Sequence, residues 1–275
     1  MEGTTPVIAA IEAPLMYLVP TDEVLFSYNY PPPPGVPMRN GRYEARRVTV
    51  RNGRALADRP SLEREGFALR REPSAVANFY DEAEVKRVYY PEVERLLMAA
   101  TGAAKVVIFD HTLRNTATDK QLAGQVRGPA NRVHNDYTER SAPQRVRDLL
   151  APEEAASRLE RRYAEVNVWR PIKGPVKSAP LALCDAGSLD PADLVVSELR
   201  YPDRTGEIYL VTYNPRHRWF YFPEMSADET VLIKCFDSAR DGRARISVHT
   251  AFADPATPSD APARESIEVR AFLFF

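Results

Sequence analysis

Apolar and polar positions divide the chain into two regimes. From Asp81 to Ala100, the apolar residues Val85, Val88, Tyr89, Val93, Leu96 and Leu97 recur at helical spacing, which predicts an interrupted amphipathic helix. Pro91 stands where a first-turn proline restarts a helix, and Gly102 ends it. Ala142 to Tyr163 carries charge on most faces and few apolar positions, so it is expected to be helical and to lie on the surface against the main body. From Val166 onward the period shortens. EIYLVTY, RWFYF, ETVLIKCF, RISVHTAF and ESIEVRAFLFF are short runs of β-branched and aromatic residues, the signature of strands, with Asn214-Pro215-Arg216-His217 as a tight connection between the first two. Earlier strands are expected near Val106 to Phe109 and Val133 to Tyr137. Many short strands at close intervals predict an α+β chain with a mainly β core, a double-stranded β-helix of jelly-roll or cupin-like form with flanking helices. The Asn52-Gly53 pair between short alternating runs predicts a two-residue hairpin. The organisation expected is one domain over residues 1–275: an N-terminal extension (1–40), a hairpin with helices (41–105) and the β-helix core (106–275). No internal repeat is visible.

Composition narrows the function classes. The 275 residues are 44% hydrophobic and 27% charged, an ordinary globular balance. The 37 basic and 38 acidic residues leave a formal charge of −1, without the basic runs interleaved with aromatics that a nucleic-acid surface needs. The opening Met1 to Pro20 is too acidic and too broken by proline for a signal peptide, and no run approaches the ~18 apolar residues of a membrane helix. A cytoplasmic location, a small-molecule substrate and no nucleic-acid or membrane partner are therefore expected, with a homodimer left open. Cys184 and Cys235 each lie in an apolar stretch without a CxxC partner and are expected to be buried, reduced thiols. The 24 prolines gather in Pro31 to Pro37 and Asp254 to Pro262, which read as semi-rigid loops.

Candidate chemistry begins with the histidines, of which there are four: His111, His134, His217 and His249. In RVHNDYTE, His134 and Asp136 stand two apart, and on a strand such residues face the same way, so an imidazole and a carboxylate converge on one ion. A distant histidine added to this pair gives two neutral nitrogens and one anionic oxygen on one face of an octahedron, with positions left for a cosubstrate and O2. That is the facial triad of iron(II) oxygenases, and His249 in RISVHTAF is the natural third ligand. An HxD pair alone is a weak signal, because a strand histidine is more often a hydrogen-bonded core residue. What strengthens it lies fifteen residues beyond His249, where Arg264-Glu265-Ser266 opens the last strand and Arg270 follows on the same face. A guanidinium turned inward there needs an anion. Arg264 with Ser266 would clamp the distal carboxylate of 2-oxoglutarate, with Arg270 as the competing candidate; the bland alternative is the charged solvent face of an edge strand. His111, beside Asp110, and His217, in a turn, lack ligand spacing and read as structural.

The segments FDHTLRN (Phe109 to Asn115), VHNDYTERSAPQR (Val133 to Arg145), NVWRP (Asn167 to Pro171), PLALCDAGSL (Pro180 to Leu189), YNPRHRWFYFPEM (Tyr213 to Met225), HTAFADP and RESIEVRAFLFF together resemble the family of cephem 7-hydroxylase components, fungal gibberellin desaturases and AsaB-type hydroxylase/desaturases. The resemblance runs from about residue 40 to the end, with the motifs in the family's order. It implies a double-stranded β-helix oxygenase of secondary metabolism that uses Fe(II), 2-oxoglutarate and O2, releases succinate and CO2, and has His134, Asp136 and His249 as metal ligands. Hydroxylation, desaturation and ring closure all remain open, since the outcome depends on where the substrate carbon sits. Within the family-like motifs, Arg114, Arg145 and Arg170 are candidates for a substrate carboxylate, as in a carboxylic acid or amino-acid derivative, and Asn167 for contact with the keto acid. Trp169, Tyr213, Trp219 and Tyr221 are better read as sheet packing. Two rivals stand beside this expectation: a cupin-type zinc or manganese hydrolase or isomerase without 2-oxoglutarate, and a non-catalytic β-helix that only holds a ligand.

Overall fold

Why one face of the last strand should be polar and the other apolar becomes clear in the computed structural model, which describes residues 9–117 and 126–275. The first eight residues of the opening segment lie outside this range. In the last strand, β14 (Glu265–Phe274), Ile267, Val269, Ala271 and Leu273 alternate with Ser266, Glu268, Arg270, Phe272 and Phe274. The first set packs outward on Val93, Leu96 and Leu97 of a helix, whereas Phe272 and Phe274 join Leu183 and Phe220 of the facing sheet. Period-two alternation therefore puts Ser266, Glu268 and Arg270 inside the barrel.

Fourteen strands form two sheets among the described residues. One runs β4 (Phe67–Arg71), β12 (Glu229–Asp237), β7 (Tyr163–Pro171), β14, β5 (Lys105–Asn115). The other runs β1 (Ala10–Leu18), β3 (Tyr43–Asn52), β11 (Trp219–Tyr221), β8 (Leu181–Cys184), β13 (His249–Ala251), β6 (His134–Asn135), β10 (Thr205–Val211), β9 (Leu194–Arg200), β2 (Leu25–Tyr28). The blocks β12-β7-β14-β5 and β11-β8-β13-β6 face each other as the two halves of a double-stranded β-helix. The helix outside the barrel starts at Glu82–Glu84 behind the Asp81 cap, passes through a π turn at Val85–Tyr89 and continues as α1 (Tyr90–Thr101), ended by Gly102 at φ 73°. The surface helical stretch is two helices, α2 (Ser141–Leu149) and α3 (Pro152–Leu159), separated where Pro152 forces the chain to restart. Ala142, Val146 and Ala155 close one end of the barrel against Phe272 and Phe274.

Three local outcomes differ from the sequence expectation or extend it. Asn52-Gly53 makes no hairpin: β3 ends at Asn52 in a 3-10 turn and pairs with β1 and β11. Gly53 lacks a positive φ, and a Cβ on it would come within 2.6 Å of the Phe222 ring, so the glycine serves close packing rather than a primed turn. The segment set apart as an extension supplies β1 and β2. Pro14 is accommodated inside β1, the end strand of its sheet, whose row facing away from β3 makes isolated bonds, such as Val133 N–H to the Met16 carbonyl, in place of a continuous ladder. Phe109 is a bulge in β5: Asp110 lies opposite Arg270 and Ile108 opposite Ala271. With Phe109 out of the ladder, Asp110, Thr112 and Arg114 stay on the inner face beside Arg270, Glu268 and Ser266. Cys184 and Cys235 are buried free thiols.

Candidate active site

His134 and His249 are directly opposed in the β6–β13 pair, which sets their rings side by side with centroids 4.5 Å apart. Asp136 follows β6 on the same face as His134, its Oδ1 3.5 Å from His134 Nε2, while Asn135 points the other way to the carbonyls of Tyr137 and Cys235. One donor atom from each of His134, Asp136 and His249 lies within 4.8 Å of the others. Each imidazole has Nδ1 near the carbonyl two residues earlier: His134 to Arg132 at 2.8 Å and His249 to Ser247 at 3.3 Å. A carbonyl only accepts, so the proton belongs on Nδ1 and the Nε2 lone pairs are left for a metal. Burial, with His249 close by, drives the His134 pKa down to about 3, which keeps that ring neutral at working pH.

Asp136 is held from behind. Its Oδ2 accepts from Asn167 Nδ2 at 2.8 Å and from Arg270 Nε at 2.9 Å, which leaves Oδ1 turned toward the imidazoles. Burial alone would raise this carboxyl, but the adjacent Arg270 guanidinium outweighs it and holds the group well below the usual carboxylate range. The remaining donors of Arg270 go to Asp110 Oδ1 at 3.1 Å, Thr112 Oγ1 at 3.1 Å and the Glu268 carboxylate. With its fork filled by the protein's own acids, Arg270 has little left for a cosubstrate. Asn167 sits on the aspartate rather than free in the cavity.

Arg264 is different. It is 3% exposed; its Nη1 donates to the Ala179 carbonyl at 2.7 Å, and its guanidinium lies 5.6 Å from the Trp169 ring centre. Its Nε and the Ser266 Oγ are both buried without a hydrogen-bond partner among the described residues. Burial, with Arg114 nearby, pulls the Arg264 guanidinium down to about 9. A buried guanidinium and a buried hydroxyl with open hydrogen-bonding capacity on one inner face have the chemistry to receive an anion. The donor set and this pair both fit the iron and keto acid that the sequence resemblance implies.

The other arginine candidates separate. Arg114 and Arg145 line the cavity of about 1200 Å³ that opens onto His134 and Asp136. Arg170 does not: it stands on the outer face of β7, and its fork is filled by Tyr89 Oη, the Ala227 carbonyl and the Glu72 carbonyl. Its place in β7 gives the reason, since Asn167 and Trp169 point inward and the next residue must point out. His111 meets Tyr90 Oη at 2.9 Å, and His217 ties Tyr17 to Asp193 between strands. Trp219 is fully buried in the outer cluster of the nine-stranded sheet. Sequence reasoning missed Arg132, whose carbonyl orients His134 and whose side chain enters the cavity, and it missed the Asp110–Thr112–Glu268 cage around Arg270.

Known proteins resemble this chain in sequence and fold. A family model described as an oxidoreductase/YMDC permease-like domain matches residues 15–274. No helix among the described residues is long and apolar enough to cross a membrane. The hydroxylase/desaturase efuI of Hormonema carpetanum is 33% identical over 85% of this chain and 85% of its own. The Fe(II)/2-oxoglutarate-dependent dioxygenase nvfI of Aspergillus novofumigatus is 32% identical over 96% of each chain. Among solved structures, the iron and alpha-ketoglutarate-dependent endoperoxidase NvfI superposes with a TM-score of 0.87 at 28% identity, covering 97% of this chain and 98% of that one.

Proposed function

The chain belongs to this oxidoreductase family, which includes hydroxylase/desaturases and iron(II)/2-oxoglutarate-dependent dioxygenases, and from that premise we propose that it oxidises a small organic acid of secondary metabolism in the cytoplasm. His134, Asp136 and His249 hold iron(II), and Arg264 with Ser266 takes the distal carboxylate of 2-oxoglutarate. One observation carries the assignment: a His-Asp-His set whose Nδ1 atoms face backbone carbonyls shares its barrel with a buried Arg264 Nε and Ser266 Oγ that have no hydrogen-bond partner among the described residues. When bound, the iron with 2-oxoglutarate and O2 supplies a two-electron oxidant: one oxygen atom ends in succinate with release of CO2, and the other in a substrate hydroxyl or, on desaturation, in water.

The chain's own residues fix the geometry for that chemistry. Arg270 and Asn167 hold Asp136 Oδ2, so the carboxylate presents one oxygen in a set direction. The Arg132 and Ser247 carbonyls set the imidazole tautomers. Phe109, Tyr137 and Phe272 pack edge-on and tilted at the inner end of the cavity and exclude water there. Arg114 and Arg145 orient the substrate acid. Hydroxylation or desaturation is then decided by which carbon the cavity presents.

The test is anaerobic titration of the iron(II)-loaded protein with 2-oxoglutarate, following the visible charge-transfer band of a chelated keto acid. A saturable band supports the proposal. Bound iron without a band refutes it and favours a metalloenzyme that does not use 2-oxoglutarate.

A further inference from the structure

The cavity over His134 and Asp136 is larger than one keto acid needs, and its charge is lopsided. Its wall carries eight arginines, no lysine and four carboxylates, in a chain whose formal charge is −1. Arg270 is neutralised by Asp136, Asp110 and Glu268, and Arg140 by Glu207. The other six have no carboxylate partner among the described residues. Three of these, Arg39, Arg127 and Arg204, are exposed and water can serve them. Arg114, Arg132 and Arg145 are half-buried, and each is held by neutral groups only. Arg114 donates to the Gly128 carbonyl at 2.8 Å. Arg132 donates to Tyr43 Oη at 2.8 Å and lies 4.9 Å from that ring's centre, and Arg145 lies 5.2 Å from the centre of Phe109.

A guanidinium pinned by a ring face keeps most of its edge donors free, and its planar fork suits an oxyanion. Three half-buried cations in one cavity, none ion-paired with a carboxylate among the described residues, favour an anion in the space between them. The cosubstrate does not answer this need, because Arg264 and Ser266 form its own seat and are not part of this wall.

Resting on the proposed function, we infer that the substrate is a multiply charged oxyanion, with at least two carboxylate or phosphate groups, seated on Arg132 and Arg145 with Arg114 deeper in the wall. Tyr28, Tyr30 and Tyr137 supply ring surface for its carbon skeleton.

The experiment is calorimetric titration, under nitrogen, of the full chain loaded with iron(II) and 2-oxoglutarate. The probes are trimesate, benzoate, phenyl phosphate and the uncharged triamide of trimesate. Trimesate is expected to bind at least about tenfold tighter than benzoate, to weaken as salt is raised, and to bind where the triamide does not. Phenyl phosphate binding tighter than benzoate assigns the groups as phosphates, and the reverse assigns carboxylates. Arg132→Gln and Arg145→Gln each cost trimesate about tenfold while the 2-oxoglutarate charge-transfer band keeps its midpoint, which also shows that the variants are folded. Triamide binding equal to trimesate, no binding of any probe, or wild-type trimesate affinity in both variants overturns the inference. Failure of the underlying reading shows separately, as a missing band in the wild-type protein.

Discussion

Arg264→Gln separates the cosubstrate seat from every other role an inward arginine could have. In the ligand-free protein, Arg264 is buried with one hydrogen bond, to Ala179, and an open Nε. Its folded-state pKa of about 9 lies below the usual arginine value, so the sign is that of a depressed base: below pH 9 the folded protein carries the full cost of the buried charge. Glutamine removes that cost and also removes the grip on a carboxylate. Losing charge-assisted hydrogen bonds worth about 1.5–3 kcal/mol raises the dissociation constant of 2-oxoglutarate by roughly 10- to 100-fold. Ligand at about 100 times the dissociation constant stabilises the wild-type protein by about 2.7 kcal/mol, and a 100-fold weaker site receives about 0.4 kcal/mol from the same concentration. Thermal unfolding of the iron-loaded protein under nitrogen, with and without 2-oxoglutarate, reads both effects. The expected result is a ligand-free variant no less stable than wild type, with most of the ligand-induced rise in Tm lost. A variant that unfolds early yet keeps the full rise would refute the seat and make Arg264 a structural residue.

Three further outcomes follow from the same contacts. Arg270→Gln and Asn167→Ala each remove one of the two donors that hold Asp136 Oδ2, so iron(II) affinity should fall about 10- to 100-fold in competition with a fluorescent chelator, while 2-oxoglutarate affinity at saturating iron stays put; the reverse pattern would return Arg270 to the cosubstrate. Arg170→Ala removes three bonds on the outer face and should cost about 3 kcal/mol in urea unfolding with ligand affinities unchanged, whereas weakened ligand binding at wild-type stability would place Arg170 in the site. Glu165 is buried with neither oxygen in a hydrogen bond of ordinary geometry among the described residues, and burial, with Asp136 near, pushes its carboxyl well above the usual range. Such a raised pKa gives stability that is complete below about pH 4.5 and is lost as pH rises toward the folded value. The advantage of Glu165→Gln should therefore widen by up to about 1.4 kcal/mol per pH unit over that window, and a pH-independent gap in urea midpoints would contradict it.

The metal centre was legible because it depends on parity within a strand. His134 and Asp136 share a face whatever the rest of the barrel does, and four histidines leave few third ligands. Parity also separates Arg170 from Asn167, since residues three apart on a strand face opposite ways; naming Arg170 by its motif passed over that rule. Arg264 and Arg270 could not be separated in the same way. They are six apart and share a face, so alternation treats them alike, and what distinguishes them is cross-strand company. Arg270 meets Asp110 only because Phe109 bulges out of β5 and shifts the register by one residue, and a bulge has no clear mark in FDHTLRN.

The same bulge links fold to chemistry. Were Phe109 paired into the ladder instead of bulged out of it, strand alternation would turn Asp110, Thr112 and Arg114 away from the barrel, because a one-residue slip exchanges the two faces of a strand. Arg270 would then lose two of the acceptors that occupy its fork, and its free donors would compete with Arg264 for the anionic cosubstrate. Arg114 would leave the cavity, and with it the deepest of the unpaired cations facing the substrate. The bulge thus assigns Arg264, just before β14, and Arg270 within it to different tasks, Arg270 to the metal-binding aspartate and Arg264 to the keto acid. It also adds a third arginine from the neighbouring strand for the substrate.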